Sequence, residues 1–250
     1  GLNVSAGDGD FLIVPEIIAR SNLGSQQYMT SPTAGTGNLN GAIGFVGDTK
    51  FSVDRGFFDA PFTVAITTNS AQAQIRYTLN GSAPTATTGI RYTEPVSIDT
   101  TTVLRAAAFR AGYVPSDVDT QTYIFLDDVL NQSASPVGFP AMWKAEPADY
   151  EMDPEIVGNP LYSATLLDDL KSLPTMSLVM NVDDLFGNNG IYANPTNQGV
   201  AWERPGSLEM FYPDGSVEGF QIDAGIRMYG GVGRDPQFKK HTFRIFFKNA

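Results

Sequence analysis

Gln74-Ile75-Arg76-Tyr77-Thr78-Leu79-Asn80-Gly81 reads as a strand running into a turn. Gln74, Arg76 and Thr78 alternate with Ile75, Tyr77 and Leu79, so one face is apolar and the other wet. Asn80-Gly81 closes it, because both residues tolerate the positive φ of a tight turn. Four more β-rich runs flank it, at residues 63–68, 91–98, 102–109 and 121–125. Turn dipeptides such as Thr88-Gly89 and Ala111-Gly112 punctuate them, and no helical window intervenes. Short strands at that spacing predict a small antiparallel β-sandwich.

On the N-terminal side, residues 1–50 are rich in Gly, Ser, Asn and Thr. One apolar run, Phe11-Leu12-Ile13-Val14, is closed by Pro15 and reads as a strand, and residues 31–44 read as a linker. On the C-terminal side, residues 127–150 form a polar, proline-punctuated connector. Beyond it Ser163 is placed to cap a short helix carrying Leu166, Leu167 and Leu170, which ends before Pro174. A strand at 176–180, a capped turn at 181–186, and strands at 206–212, 220–228 and 242–248 complete an α+β unit with a largely antiparallel sheet. The expected organisation is mainly β: an irregular segment over 1–45, a sandwich over 46–126, the connector, and a partial α+β domain over 151–250.

The chain has 250 residues, room for one to two and a half domains at ~100–200 residues each. It is 42% hydrophobic and 17% charged, against a charged share of about 25% in ordinary domains, which favours a buried core over disorder. Its formal charge of −11 disfavours nucleic acid and anionic membranes as partners. No window approaches ~18 consecutive apolar residues, so no bilayer-spanning helix is expected. Cysteine is absent and His241 is the lone histidine. Thiol chemistry, disulfides and multi-His metal centres are thereby excluded. The start at Gly1-Leu2-Asn3, without Met or a basic-then-apolar leader, is what a mature or excised segment would show.

Two resemblances to known families follow from motifs. The first rests on Ile75-Arg76-Tyr77-Thr78-Leu79-Asn80-Gly81-Ser82-Ala83-Pro84, then Tyr92 and Pro95, then Thr101-Thr102-Val103-Leu104-Arg105-Ala106. Residues 51–125 resemble the β-sandwich module of chitobiase and β-hexosaminidase C-termini and of fibronectin-type-III-associated repeats, which implies an accessory domain without chemistry of its own. The second rests on residues 173–178, Ile222-Asp223-Ala224-Gly225-Ile226-Arg227-Met228-Tyr229-Gly230-Gly231, and Lys239-Lys240-His241-Thr242-Phe243-Arg244. Residues 139–250 are similar to the start of the CotH kinase family, though Val232-Gly233-Arg234 and His241 depart from its usual Ser-Arg and Ser. That resemblance implies ATP and Mg²⁺ in a complete kinase, with the acidic catalytic and metal motifs expected beyond Ala250. Residues 31–35 also resemble the end of a lamin-tail-like module.

Charge is distributed unevenly. Residues 227–250 carry six basic side chains against Asp235, on an otherwise acidic body. Arg227, Lys239, Lys240 and Arg244 are the candidate phosphate contacts, since phosphate recognition needs fixed positive charge. The loop 229–234 supplies glycines that let backbone N–H groups approach an anion. A solvated strand after a glycine turn is the plainer explanation. The pairs Asp127-Asp128, Asp168-Asp169 and Asp183-Asp184 diverge in any regular element, which suits helix starts better than acid–base catalysis. Asp8-Gly9-Asp10 and Asp117-Val118-Asp119 are oxygen-rich enough for calcium but lack an EF-hand continuation. Trp202 and Tyr92 are candidates for stacking on sugars, with Tyr77, Tyr113 and Trp143 as further rings, although alternating aromatics more often pack.

These readings predict a non-catalytic structural, adhesive or surface-binding segment of a secreted, multidomain, bacterial protein, without a cofactor. Its partners would be neighbouring domains or an extracellular polymer. A kinase segment with a phosphate-contacting basic strand and a carbohydrate-binding module are the alternatives.

Overall fold

The computed structural model describes residues 17–20, 26–28, 41–143, 146–212 and 217–247. The expected strand at 11–14, the Asp8-Gly9-Asp10 loop, the lamin-tail-like residues 31–35 and Lys248 lie outside those residues. The fold is mainly β.

Nine strands lie between Thr49 and Ile124: β1 Thr49–Phe51, β2 Gly56–Phe57, β3 Phe62–Val64, β4 Ile66–Thr68, β5 Gln74–Thr78, β6 Ile90–Arg91, β7 Val96–Ile98, β8 Thr102–Phe109 and β9 Asp119–Ile124. One layer is a five-stranded sheet in the order β2-β9-β8-β5-β6; the pairs β1-β4 and β3-β7 stand apart from it. All these pairings are antiparallel except β2 with β9. The run expected at 91–98 proves to be two strands in different sheets, β6 and β7. Pro95 separates them, because it has no N–H to continue a ladder. Gly81 has φ +75°, as the Asn80-Gly81 turn requires, and Thr78 Oγ1 donates across it to the Ser82 carbonyl at 2.5 Å.

Val64, Ile66, Ile98, Leu104, Ala106 and Tyr123 fill the space within the sandwich, each almost fully buried. Phe58 and Phe62 meet the Tyr123 ring edge-on, with centroids 5.6 and 5.2 Å away. Edge-to-face contacts of this kind add to the burial of the rings themselves.

The helix α1 (Leu126–Leu130) leads out of the sandwich. The second unit contains α2 (Pro154–Val157), α3 (Leu166–Lys171), β10 (Thr175–Val179), α4 (Val182–Phe186), β11 (Arg204–Phe211), β12 (Phe220–Tyr229) and β13 (Thr242–Phe247). Its four strands form one antiparallel sheet in chain order, so β10 and β13 are the edges. Helix α3 begins after Thr165 rather than Ser163, and the Thr165 hydroxyl donates to Asp169 at 2.8 Å. The three aspartate pairs lie in the first turns of α1, α3 and α4, where a carboxylate is favoured by the helix N-terminus. A second cluster of Ile191, Tyr192, Ile226 and Met228, joined by Trp143, Leu178 and Phe243, covers one face of the sheet.

Gly206 in β11 has no space for a side chain. A Cβ there would strike Ile226 Cδ1 and come within 3.0 Å of the Val179 carbonyl. Ile226 is fully buried and has nowhere to move. Gly206→Ala is expected to lower stability by about 1–3 kcal/mol, read from the urea unfolding midpoint.

Candidate functional site

The outer face of the five-stranded sheet is not wet along β8 and β9. Leu104, Ala106 and Tyr123 point into the sandwich, so Arg105, Thr120 and Thr122 point outward. All three outward residues are nevertheless buried. The second sheet covers them with Ser177 from β10, with Ser207, Glu209 and Phe211 from β11, and with Asp223 from β12. A polar face can be buried at tolerable cost only when its groups find partners.

Here they do. Glu209 has no solvent exposure. Its carboxylate accepts from Arg55 Nε at 2.8 Å, from Thr122 N at 3.2 Å and from Thr122 Oγ1. Thr122 Oγ1 also meets Ser177 Oγ at 2.8 Å. Arg105 donates to Thr120 Oγ1 and to the Gly81 carbonyl, both at 3.2 Å, and lies in the field of Asp223 and Glu209. Phe57 against Phe211, Ala83 N donating to Asn181 Oδ1, and Lys171 with Asp59 extend the seam. Burial pushes the Glu209 and Asp223 carboxyls above their ordinary range and pulls the Arg105 guanidinium below its own.

An acidic cleft of about 450 Å³ opens at one end of the seam, lined by Asp48, Asp117, Asp119, Gln221 and Asp223. The loop proposed for calcium therefore contributes two carboxylates to a shared hollow. Asp119 is already engaged by the N–H and hydroxyl of Thr49, and burial raises its carboxyl. Among the described residues, no three acidic or imidazole side chains are arranged to hold a metal ion.

The basic residues singled out from sequence share a sheet region but not a common free surface. Arg227 and Arg244 are directly paired across β12 and β13. Arg227 is bound to Glu203 through Nη2 at 2.6 Å and Nε at 2.8 Å, and its guanidinium lies over Phe246. Lys239 approaches Glu146 at 3.7 Å. Arg244 lies 3.7 Å over the Tyr229 ring, and Lys240 is exposed. In the glycine loop, Arg234 donates to the Gly230 carbonyl, and His241 Nδ1 lies 2.8 Å from the Gly233 carbonyl. The loop carbonyls are thus turned to the Arg234 guanidinium and the His241 ring.

Tyr92 packs edge-on to Tyr77 and its hydroxyl accepts from Ile66 N at 3.1 Å, so its ring belongs to the sandwich. Tyr113 lies under Arg110, and Trp143 donates to the Tyr150 hydroxyl at 3.0 Å. Trp202 is half-buried beneath Arg204, 5.3 Å from the guanidinium. Phe139, 45% exposed, is one of several aromatic rings among the described residues that reach solvent. It borders a groove of about 440 Å³ with Asn80, Ser82, Asn181, Asp183 and Asp184. Its place in the proline-punctuated connector was the signal available for it.

Residues 53–120 match the family model of the chitobiase/beta-hexosaminidase C-terminal domain. No curated protein and no solved structure matches the chain. The similarity of residues 139–250 to the CotH family has no counterpart among these comparisons.

Proposed function

We propose that the chain is a non-catalytic segment of a larger secreted protein, in which the sandwich holds the four-stranded sheet at a fixed angle for its neighbours or for a surface polymer. One observation carries this reading: the fully buried Glu209 carboxylate, gripped by Arg55 and Thr122 of the sandwich side. A loose tether has no need of a charge buried between its two ends. The match to a carbohydrate-binding-like sandwich module fits an accessory role.

Because the chain lacks cysteine, spin labels can be placed at will. Thr87→Cys in the sandwich and Val232→Cys in the second unit both lie on exposed positions. Their interlabel distance is expected to form a single narrow distribution. A broad or multi-peaked one would overturn fixed positioning.

A second reading, sugar binding, is favoured by the groove at Phe139, which sets an exposed ring beside amide and carboxylate side chains. Heat released on titration with chitin or cellulose oligomers, and abolished by Phe139→Ala, would establish it; no heat removes it. A role in phosphate binding within a longer CotH-like kinase has less support, since Arg227 and Lys239 already face carboxylates. Transfer of labelled phosphate from ATP and Mg²⁺ by the chain would restore that reading.

A further inference from the structure

Strand β13 is an outer strand of the four-stranded sheet, and among the described residues no strand pairs with its far side. An open edge presents a row of backbone N–H and C=O groups to any strand that reaches it. Folds ordinarily blunt such an edge with lysine, proline, a bulge or a very short strand. β13 has none of these. Its six residues, Thr242-Phe243-Arg244-Ile245-Phe246-Phe247, keep one unbroken register against β12, and Arg244 is the single charge among them. The two sides of the strand differ. Arg244 lies over the Tyr229 ring and Phe246 under the Arg227 guanidinium, on one side of the sheet. Phe243, Ile245 and Phe247 alternate to the other, where Phe243 joins the second apolar cluster and Phe247 is left 55% exposed.

We propose that this edge takes a second copy of the chain, the two β13 strands pairing antiparallel about a two-fold axis perpendicular to the sheet. Such an axis continues each face across the contact, so residues of the same side oppose one another. Two registers then pair five residues of each strand, and any further displacement pairs three or fewer. One of the two sets Arg244 against Arg244 of the second copy, and like charges directly opposite are destabilising. The other sets Ile245 against itself on the axis, Arg244 against Phe246, and Phe243 against Phe247. In that register the exposed Phe247 gains an aromatic partner in both copies. Each Arg244 guanidinium, already over Tyr229 and 6.0 Å from Phe246 of its own strand, gains a ring from the other side. The strand is therefore complementary to itself in one register, with its lone charge kept off the axis.

Sedimentation equilibrium of the full chain over a range of concentrations tests this. The mass is expected to rise from monomer to dimer and no further, because a two-fold contact closes on itself. One strand pair is a small contact, so a dissociation constant of about 1 μM or weaker is expected. Phe247→Asp replaces an exposed ring by a carboxylate facing Phe243 in both copies. It is expected to weaken the dimer about tenfold or more, with the circular dichroism of the chain unchanged. The absence of cysteine lets the register be read separately. Ile245→Cys brings two thiols together on the axis and is expected to give a disulfide-linked dimer on mild oxidation. Thr242→Cys is the control, since its two copies lie about 20 Å apart in that register and cannot be bridged. A monomeric mass at every concentration overturns the proposal. So does a dimer that Phe247→Asp leaves intact, or one in which Ile245→Cys forms no cross-link. Should Ile245→Cys fail to fold, the response to Phe247→Asp decides alone.

Discussion

Glu209→Ala is expected to cost about 3–5 kcal/mol of stability at neutral pH, nearer the lower figure because the Arg55 side chain retains 16% exposure. The loss has two parts. Arg55 is left with a charge and no partner in a mostly covered position. The Thr122 N–H and hydroxyl lose their acceptor in a buried setting, which costs about 1–3 kcal/mol by itself. Glu209→Gln keeps an oxygen for the Thr122 N–H and is expected to lose roughly half as much. Urea unfolding followed by circular dichroism measures both. A loss under about 1 kcal/mol for the alanine variant, the scale of an exposed ion pair, would mean that water reaches the seam.

The seam also shows where the sequence stopped being informative. Residues 102–109 were readable as a strand to the residue, because Thr102-Val103-Leu104 opens it and Phe109 leads into the turn at Ala111-Gly112. Asn80-Gly81 was readable because only a few residue types accept its backbone. The fate of the outer face was not. Thr120, Thr122 and Arg105 look like solvent-facing residues of an amphipathic sheet, and local pattern contains nothing about what will be laid on them. The contact that covers them joins Arg55 to Glu209, 154 positions apart. A single faint signal existed, a carboxylate set between Leu208 and Met210 in the apolar end of β11. The partners of the basic cluster were illegible for a related reason. Its residue types were visible, but the pairing of Arg227 with Glu203 depends on β11 and β12 lying side by side. The aromatic candidates followed the packing expectation: Tyr92 and Trp143 lie among buried neighbours.

Strand β9 is the wall shared by the two units, and Tyr123→Ala tests what sharing it implies. Tyr123 is fully buried on the sandwich side, with its hydroxyl donating to the Val53 carbonyl at 2.8 Å. Its neighbour Thr122 points the opposite way and holds Glu209. Truncation to alanine removes a ring packed on Phe58 and Phe62 and is expected to cost about 3–5 kcal/mol, against about 1 kcal/mol for Tyr123→Phe. For a domain stable by about 5–15 kcal/mol that is a large fraction. The readout can be made one-sided, because both tryptophans lie outside the sandwich. Trp143 packs on the second cluster and Trp202 lies beneath Arg204. If the seam couples the units, tryptophan fluorescence of Tyr123→Ala shifts to lower urea together with circular dichroism, in one transition. If the units are merely tethered, the fluorescence midpoint stays at its wild-type value while circular dichroism acquires an earlier phase. That second outcome would remove the buried carboxylate as the reason the two sheets move as one.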